Sequence, residues 1–221
     1  MANCAVYCAD IGSIARGHFA WCGRVPSRRR GASERVSGRD IGALVEAVAT
    51  HLRSGQPAAL GFECPLFVPI PPDSESLGRA RMGESSRSWS AAAGAAALAT
   101  GLVQVVWVLR EIRRSAGASS VFLDWPKFKR SGQGLFLWEA FVSGEAKRDS
   151  HVADAKAGLR AFEKAVKESS PDSAVTLPVD TQAYSLLGAA VIRAGWSSDV
   201  KLLSEPCLVF KAVDGRSARA V

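Results

Sequence analysis

Two short apolar runs at the start of the chain restrict the fold more than any other feature. They are residues 4–9 (Cys-Ala-Val-Tyr-Cys-Ala) and residues 18–22 (His-Phe-Ala-Trp-Cys). Both are too short for an ordinary helix and rich in strand formers. The turn-like Asp10-Ile11-Gly12-Ser13 ends the first, and Ala15-Arg16-Gly17 precedes the second, so an antiparallel hairpin is expected. The polar, Arg-rich stretch 24–39 then holds either a third, irregular strand around Arg35 and Val36 or a loop. Asp40 stands as the N-cap of a helix running to Arg53, with Ile41, Leu44, Val45, Val48 and Leu52 on one face. Past Gly55-Gln56-Pro57, residues 58–62 read as a buried strand closing at Glu63-Cys64-Pro65, where the proline forbids a central ladder.

Further along, residues 65–88 form a long Pro, Ser, Gly and Arg excursion of the kind that is functional or disordered. Strands are expected at 120–123 and 135–141, with the basic turn Lys127-Phe128-Lys129-Arg130 between them. Amphipathic helices are expected at 150–167 and 182–194, and a late edge strand at 207–210. Strands that open in a hairpin and then alternate with helices predict an α/β protein, a mixed sheet flanked by helices on both faces. A right-handed crossover would set the strands around Val6 and Leu60 side by side and parallel. The 221 residues fit one domain, with a C-terminal extension from about residue 170.

Composition narrows the class. With 48% apolar and 22% charged residues the chain can bury a sizeable core, which excludes disorder. Residues 89–109 are long and apolar enough to cross a bilayer. Their first half is mostly Ala and Gly, however, and both flanks are basic, so a core helix is expected and no membrane. Five cysteines, no CxxC spacing and no signal peptide point to reduced core thiols in a cytoplasmic protein. A net charge of +7 favours a polyanionic partner, here nucleic acid. The candidate contacts are Arg28, Arg29 and Arg30, and the loop of Lys127, Lys129 and Arg130. Trp125 in that loop is placed to stack on a base, whereas the other five tryptophans read as core or interface anchors.

Three acids fall where side chains can converge: Asp10 ends the first strand, Glu63 ends the strand after the first helix, and Asp154 lies in a late helix. Ends of neighbouring strands share a crevice. Carboxylates gathered there repel unless a hard cation compensates them. Mg²⁺ or Mn²⁺ suits such a set together with substrate phosphate oxygens, and two ions about 4 Å apart would stabilise attacking water and leaving oxygen. Plainer roles compete: a turn residue for Asp10, a helix start for His151, a first-turn acid favoured by the dipole for Asp154. Glu139 and Asp124 are rival carboxylates at other strand ends, and Glu139 could replace or supplement Asp154 as a ligand. Neither a GxSxG elbow nor Cys/His zinc spacing occurs.

Asp10 with Gly12, Glu63, and the His151-Val152-Ala153-Asp154 run resemble the ribonuclease-H superfamily, most closely its RuvC-type Holliday-junction resolvases. Residues 61–66 and 138–141 also resemble an uncharacterised family of predicted nucleases on the same fold. The resemblance covers roughly residues 4 to 167. It implies a ribonuclease-H-like fold and metal-dependent phosphodiester cleavage in DNA or RNA. Asp10, Glu63 and Asp154 would ligate Mg²⁺ or Mn²⁺, and His151 would ligate metal or orient water. The rival is a protein of the same fold that has lost catalysis and serves as a binding or scaffold component.

Overall fold

The computed structural model describes residues 3–27, 32–84, 88–142, 144–167 and 171–213. Strand β1 (Ala5–Asp10) pairs antiparallel with β2 (Ala20–Pro26), and β2 with β3 (Ser33–Gly38), so the Arg-rich stretch does contain a strand. Helix α1 (Ile41–Arg53) follows, its N-cap Asp40 accepting a 2.6 Å bond from the Ala43 amide. The chain returns as β4 (Ala58–Glu63), parallel to β1, with Tyr7 opposite Leu60 as the crossover rule requires. Next come β5 (Phe67–Ile70), α2 (Ala92–Ala116), β6 (Val121–Phe122), α3 (Trp125–Ser131) and β7 (Leu135–Phe141). Helix α4 (His151–Ala165), β8 (Gln182–Ser185), α5 (Leu186–Arg193) and β9 (Val209–Lys211) complete the described chain.

The main sheet runs β3-β2-β1-β4-β7-β6, with β9 added parallel to the second half of β7. Its antiparallel β1–β3 meander beside parallel β4, β6 and β7 makes a mixed α/β sheet of ribonuclease-H-like architecture. Period-2 alternation divides the core in two. Ala5, Tyr7, Ala9, Leu60, Phe62 and Leu137 meet α1, backed by α2 and α5. Val6, Cys8, Ala59, Phe136 and Trp138 meet α4 on the opposite face. Two glycines set how closely that second layer packs. A Cβ on Gly61 would lie 2.3 Å from the Trp138 indole, and one on Gly158 would lie 2.8 Å from Cys8 Sγ. The bare backbone at Gly158 lets α4 settle against the middle of β1.

Three expectations need correction. The Lys127–Arg130 turn is the short helix α3, started by Asp124 accepting from the Lys127 amide, and it folds Trp125 into the core against Phe136 and Phe162. Trp125 is 1% exposed and offers no face to a base. Residues 182–194 are a strand followed by a shorter helix, because Ser185 caps α5 through the Gly188 amide and β8 pairs with β5. Helix α2 begins at Ala92 and packs on α1 and α5. Its Val105, Val108, Leu109 and Ile112 enter the core, whereas Leu102 and Val103 remain exposed. All five cysteines are buried free thiols. The stretch after residue 170 adds Leu187, Val191 and Val209 to the same core.

Candidate metal centre

Asp10 and Glu63 are the last residues of β1 and β4 and stand opposite each other in parallel register. Alternation decides their direction: Asp10 follows Val6 and Cys8, and Glu63 follows Ala59 and Gly61, so both carboxylates face α4. Ser150 starts α4 by accepting from the Ala153 amide, which puts His151 and Asp154 in the first turn, over these strand ends. His151 Nδ1 lies 2.7 Å from Asp10 Oδ2 and is the donor when Asp10 is ionised. Asp10, His151 and Asp154 each offer one ligand atom, all within 4.8 Å of one another. The positively charged end of the α4 dipole points at this cluster and favours its anionic state.

Two participants escaped sequence reasoning. Lys147, just after a short 3-10 turn (Gly144–Ala146), sets its Nζ 3.0 and 3.3 Å from the two Glu63 oxygens and 3.2 Å from Asp154 Oδ2. The other Asp154 oxygen accepts a 2.7 Å bond from the Arg148 amide. His18 lies against His151, ring centroids 5.1 Å apart. Neither has a motif. A Lys-Arg pair ahead of a helix cap and a histidine two residues before β2 carry no spacing signal, because the fold rather than the sequence brings them to the cluster.

Burial raises the Asp10 pKa, helped by Asp154 and opposed by Glu63 and Lys147. Burial also pushes Glu63 well above the usual carboxylate range, with the Asp10 carboxyl adding to it and Lys147 opposing. For Lys147, burial disfavours the ammonium, but Glu63, Asp10 and Asp154 outweigh it and raise the pKa. A pH dependence follows. An acid whose folded pKa is raised holds its proton longer in the folded state, so stability is lost as pH rises from the unfolded value towards the folded one. In chelator, the melting temperature of the wild type relative to Glu63→Gln should therefore fall as pH is raised from about 4 towards neutrality. A difference that rises or stays flat in thermal scans would contradict the strained carboxyl pair.

Glu139, the acid that could replace or supplement Asp154, lines the same cleft but is not one of the three converging ligands. It follows Leu135 and Leu137 in alternation and so faces the α1 side. There Arg81 grips both its oxygens at 2.9 and 2.6 Å, and the Leu66 amide donates at 2.8 Å. Arg81 is itself fully buried, bonded to Glu84 at 2.9 Å and lying 4.5 Å over the Phe67 ring. Asp124 is spent as the α3 cap. Of the expected nucleic-acid contacts, Arg28, Arg29 and Arg30 lie outside the described residues. Lys127, Lys129 and Arg130 are exposed on α3, and Lys129 borders Cys4 and Pro57, where β1 and β4 begin. That is a strand length, roughly 17 Å, from the acids at the other end.

A cleft of about 390 Å³ opens over the cluster. Its floor is Asp10, Glu63, Lys147 and His151, and its far wall is Trp89 with the small residues of the first turns of α2. Gln104 on α2 fixes the rim by donating to the Gly12 carbonyl at 2.7 Å. Comparison of the chain with protein-family models, with curated proteins and with solved structures finds no match. Fold and site together define an α/β protein with an acidic cleft at the ends of its central parallel strands.

Proposed function

We propose that the protein is a divalent-metal-dependent nuclease, cleaving phosphodiester bonds of DNA or RNA in this cleft, in the cytoplasm and off the membrane. One observation carries the reading: three ligand atoms from Asp10, His151 and Asp154 within 4.8 Å, beside a third acid, Glu63, in register with Asp10. The donor set fits a hard cation. Asp10, Glu63 and Asp154 against the single Lys147 ammonium leave two formal negative charges when all are ionised, the charge one divalent ion neutralises. Asp10, His151 and Asp154 would hold Mg²⁺ or Mn²⁺, which when bound offsets charge on the attacked phosphate. Asp10 fixes the tautomer and orientation of His151. Glu63, with its raised pKa, is suited to take a proton from the attacking water. Lys147 supplies the second positive charge that a two-ion site would draw from metal.

Lys147→Met should therefore admit a second ion. Titration of Mn²⁺ by calorimetry is expected to give one site per chain in the wild type and two, or one bound more tightly, in the variant. Unchanged stoichiometry and affinity would remove Lys147 from the account. The reading as a whole is tested by incubating wild-type protein with single-stranded, duplex, branched and RNA substrates while titrating Mg²⁺ and Mn²⁺. Metal-dependent cleavage of at least one substrate is expected. A second reading, a catalytically inactive ribonuclease-H-like binding or scaffold protein, is favoured by the Lys147 contacts, since the ammonium already compensates part of the charge. It takes the lead if no substrate is cut and no metal moves the melting curve.

A further inference from the structure

Helix α4 carries the metal-site residues in its first turn and then a row of cations along its exposed crest. Lys156, Arg160 and Lys164 recur every four residues, all exposed, at steps of about 6 Å along the axis. Among the described residues none of the three makes an ion pair, whereas Arg24 and Arg35 are both engaged by Glu163. The crest borders a groove of about 650 Å³ between α4 and β9. Arg148 and Lys211 also line it, the Lys211 ammonium donating to the Gly83 carbonyl at 2.8 Å, and Asp172 is the one carboxylate among the described lining residues. Ala157 and Ala161 form a low floor on the α4 side, packing with Val142, Ala146 and Ala212. At its upper end, towards the first turn of α4, the groove reaches Ala153 and Arg148, whose amide holds Asp154, and the alanines of its floor pack with Val142, which lines the acidic cleft.

We propose that the groove between α4 and β9 is a phosphate-backbone track that leads a single nucleic-acid strand to the acidic cleft. A row of cations about 12 Å long matches several consecutive phosphates, which follow one another every 3.4 Å or so along each strand of a duplex axis. The small-residue floor lets a sugar–phosphate chain approach the helix, and the polar part of the lining is mainly cationic, which suits contact with backbone phosphates. The track rests on the nuclease reading only for what happens at its upper end; strand binding stands or falls by itself.

The test compares the full chain with a Lys156→Ala/Arg160→Ala/Lys164→Ala variant. The readout is anisotropy of a fluorescein-labelled oligodeoxynucleotide, single-stranded and duplex, across a series of KCl concentrations without metal. Losing three phosphate contacts should flatten the slope of log affinity against log salt by about 2 and weaken binding about tenfold or more at moderate salt. A control replacing Arg110 and Arg114, exposed on α2 and paired with Glu111, by Ala should keep the wild-type slope. Thermal melting with and without Mn²⁺ is run on all three proteins. A crest variant with the wild-type slope and affinity overturns the track, and an intact Mn²⁺ shift in that protein leaves the metal reading standing. Loss of oligonucleotide binding in the crest variant, with no Mn²⁺ shift in any protein, supports the track and sinks the nuclease reading. Vesicles of phosphatidylcholine with phosphatidylserine form the last arm. Crest-dependent binding to them in place of the oligonucleotide would assign the surface to a membrane and overturn the proposal.

Discussion

Asp10→Asn is expected to abolish metal-dependent cleavage and to erase metal-induced stabilisation, while the protein folds as before. The amide keeps the shape of the carboxylate and can still accept from His151 Nδ1, so the 2.7 Å contact survives. What disappears is charge at one of the three ligand atoms. Changes in the outer shell of a metal site already cost about 10- to 100-fold in affinity, so the loss of a ligand should exceed a hundredfold. At a Mn²⁺ concentration about a hundred times Kd, the wild type gains about 2.7 kcal/mol, or about 5 to 10 °C in melting temperature for a chain of this size. The variant should gain none. Without metal it should melt at or above the wild-type temperature, because burial of the Asp10 charge and its repulsion from Asp154 are relieved. Differential scanning fluorimetry over a Mn²⁺ series measures both effects. A variant that keeps its metal shift would show that Asp10 is the turn residue its neighbour Gly12 also allows.

The second large effect concerns stability. Arg81→Met should destabilise the fold by about 3 to 5 kcal/mol, lowering the melting temperature by about 10 °C, because it strands Glu139 and Glu84 as buried, unpaired acids. The triple change Arg81→Met/Glu84→Gln/Glu139→Gln should recover much of that loss, since a neutral set of similar volume no longer carries an uncompensated charge. Denaturant titration of the two variants gives the comparison. If the triple variant is no more stable than the single one, the cost of Arg81→Met lies in packing over Phe67 and not in charge. The same pair of proteins separates scaffold from chemistry: Mn²⁺ should stabilise whatever fraction remains folded, because Glu139 lies outside the Asp10, His151 and Asp154 group.

Much of this architecture was legible in the chain. Periodicity marked β1, α1, β4, β7 and α4, whose patterns are long or sharply capped, and their order was enough to set β1 beside β4. Asp10, Glu63, His151 and Asp154 were readable because strand ends and a helix start are positions that local pattern defines. The rest depended on distance in sequence. Glu139 looked like Glu63 in its strand-end context, and only the alternation of residues 135 to 141 would have turned it to the other face. Arg81 sits in an excursion without periodicity, 58 residues from its partner. Lys147 and the α4 crest were overlooked for different reasons. The lysine has no motif, whereas Lys156, Arg160 and Lys164 had a spacing that was open to reading but lacked the contrast with Arg24 and Arg35 that only Glu163 reveals. Trp125 departs from the base-stacking expectation because its basic, Pro-containing stretch is a capped helix and not a loop.

The register of Asp10 against Glu63 bears on how the centre opens and closes. These two acids end strands that have neighbours on both sides, so their amide-bonded backbone should exchange with solvent only when the sheet itself opens. His151 and Asp154 ride on the first turn of α4, and the opening of a terminal turn needs far less free energy than the opening of a central sheet. The centre thus has a fixed jaw and a movable one. Hydrogen exchange should find slow amides at Ala9 and Phe62 beside faster ones at Ala153 and Asp154. A bound cation, spanning both, would slow the second pair selectively and make the first turn of α4 the place where occupancy of the cleft is felt by the rest of the helix.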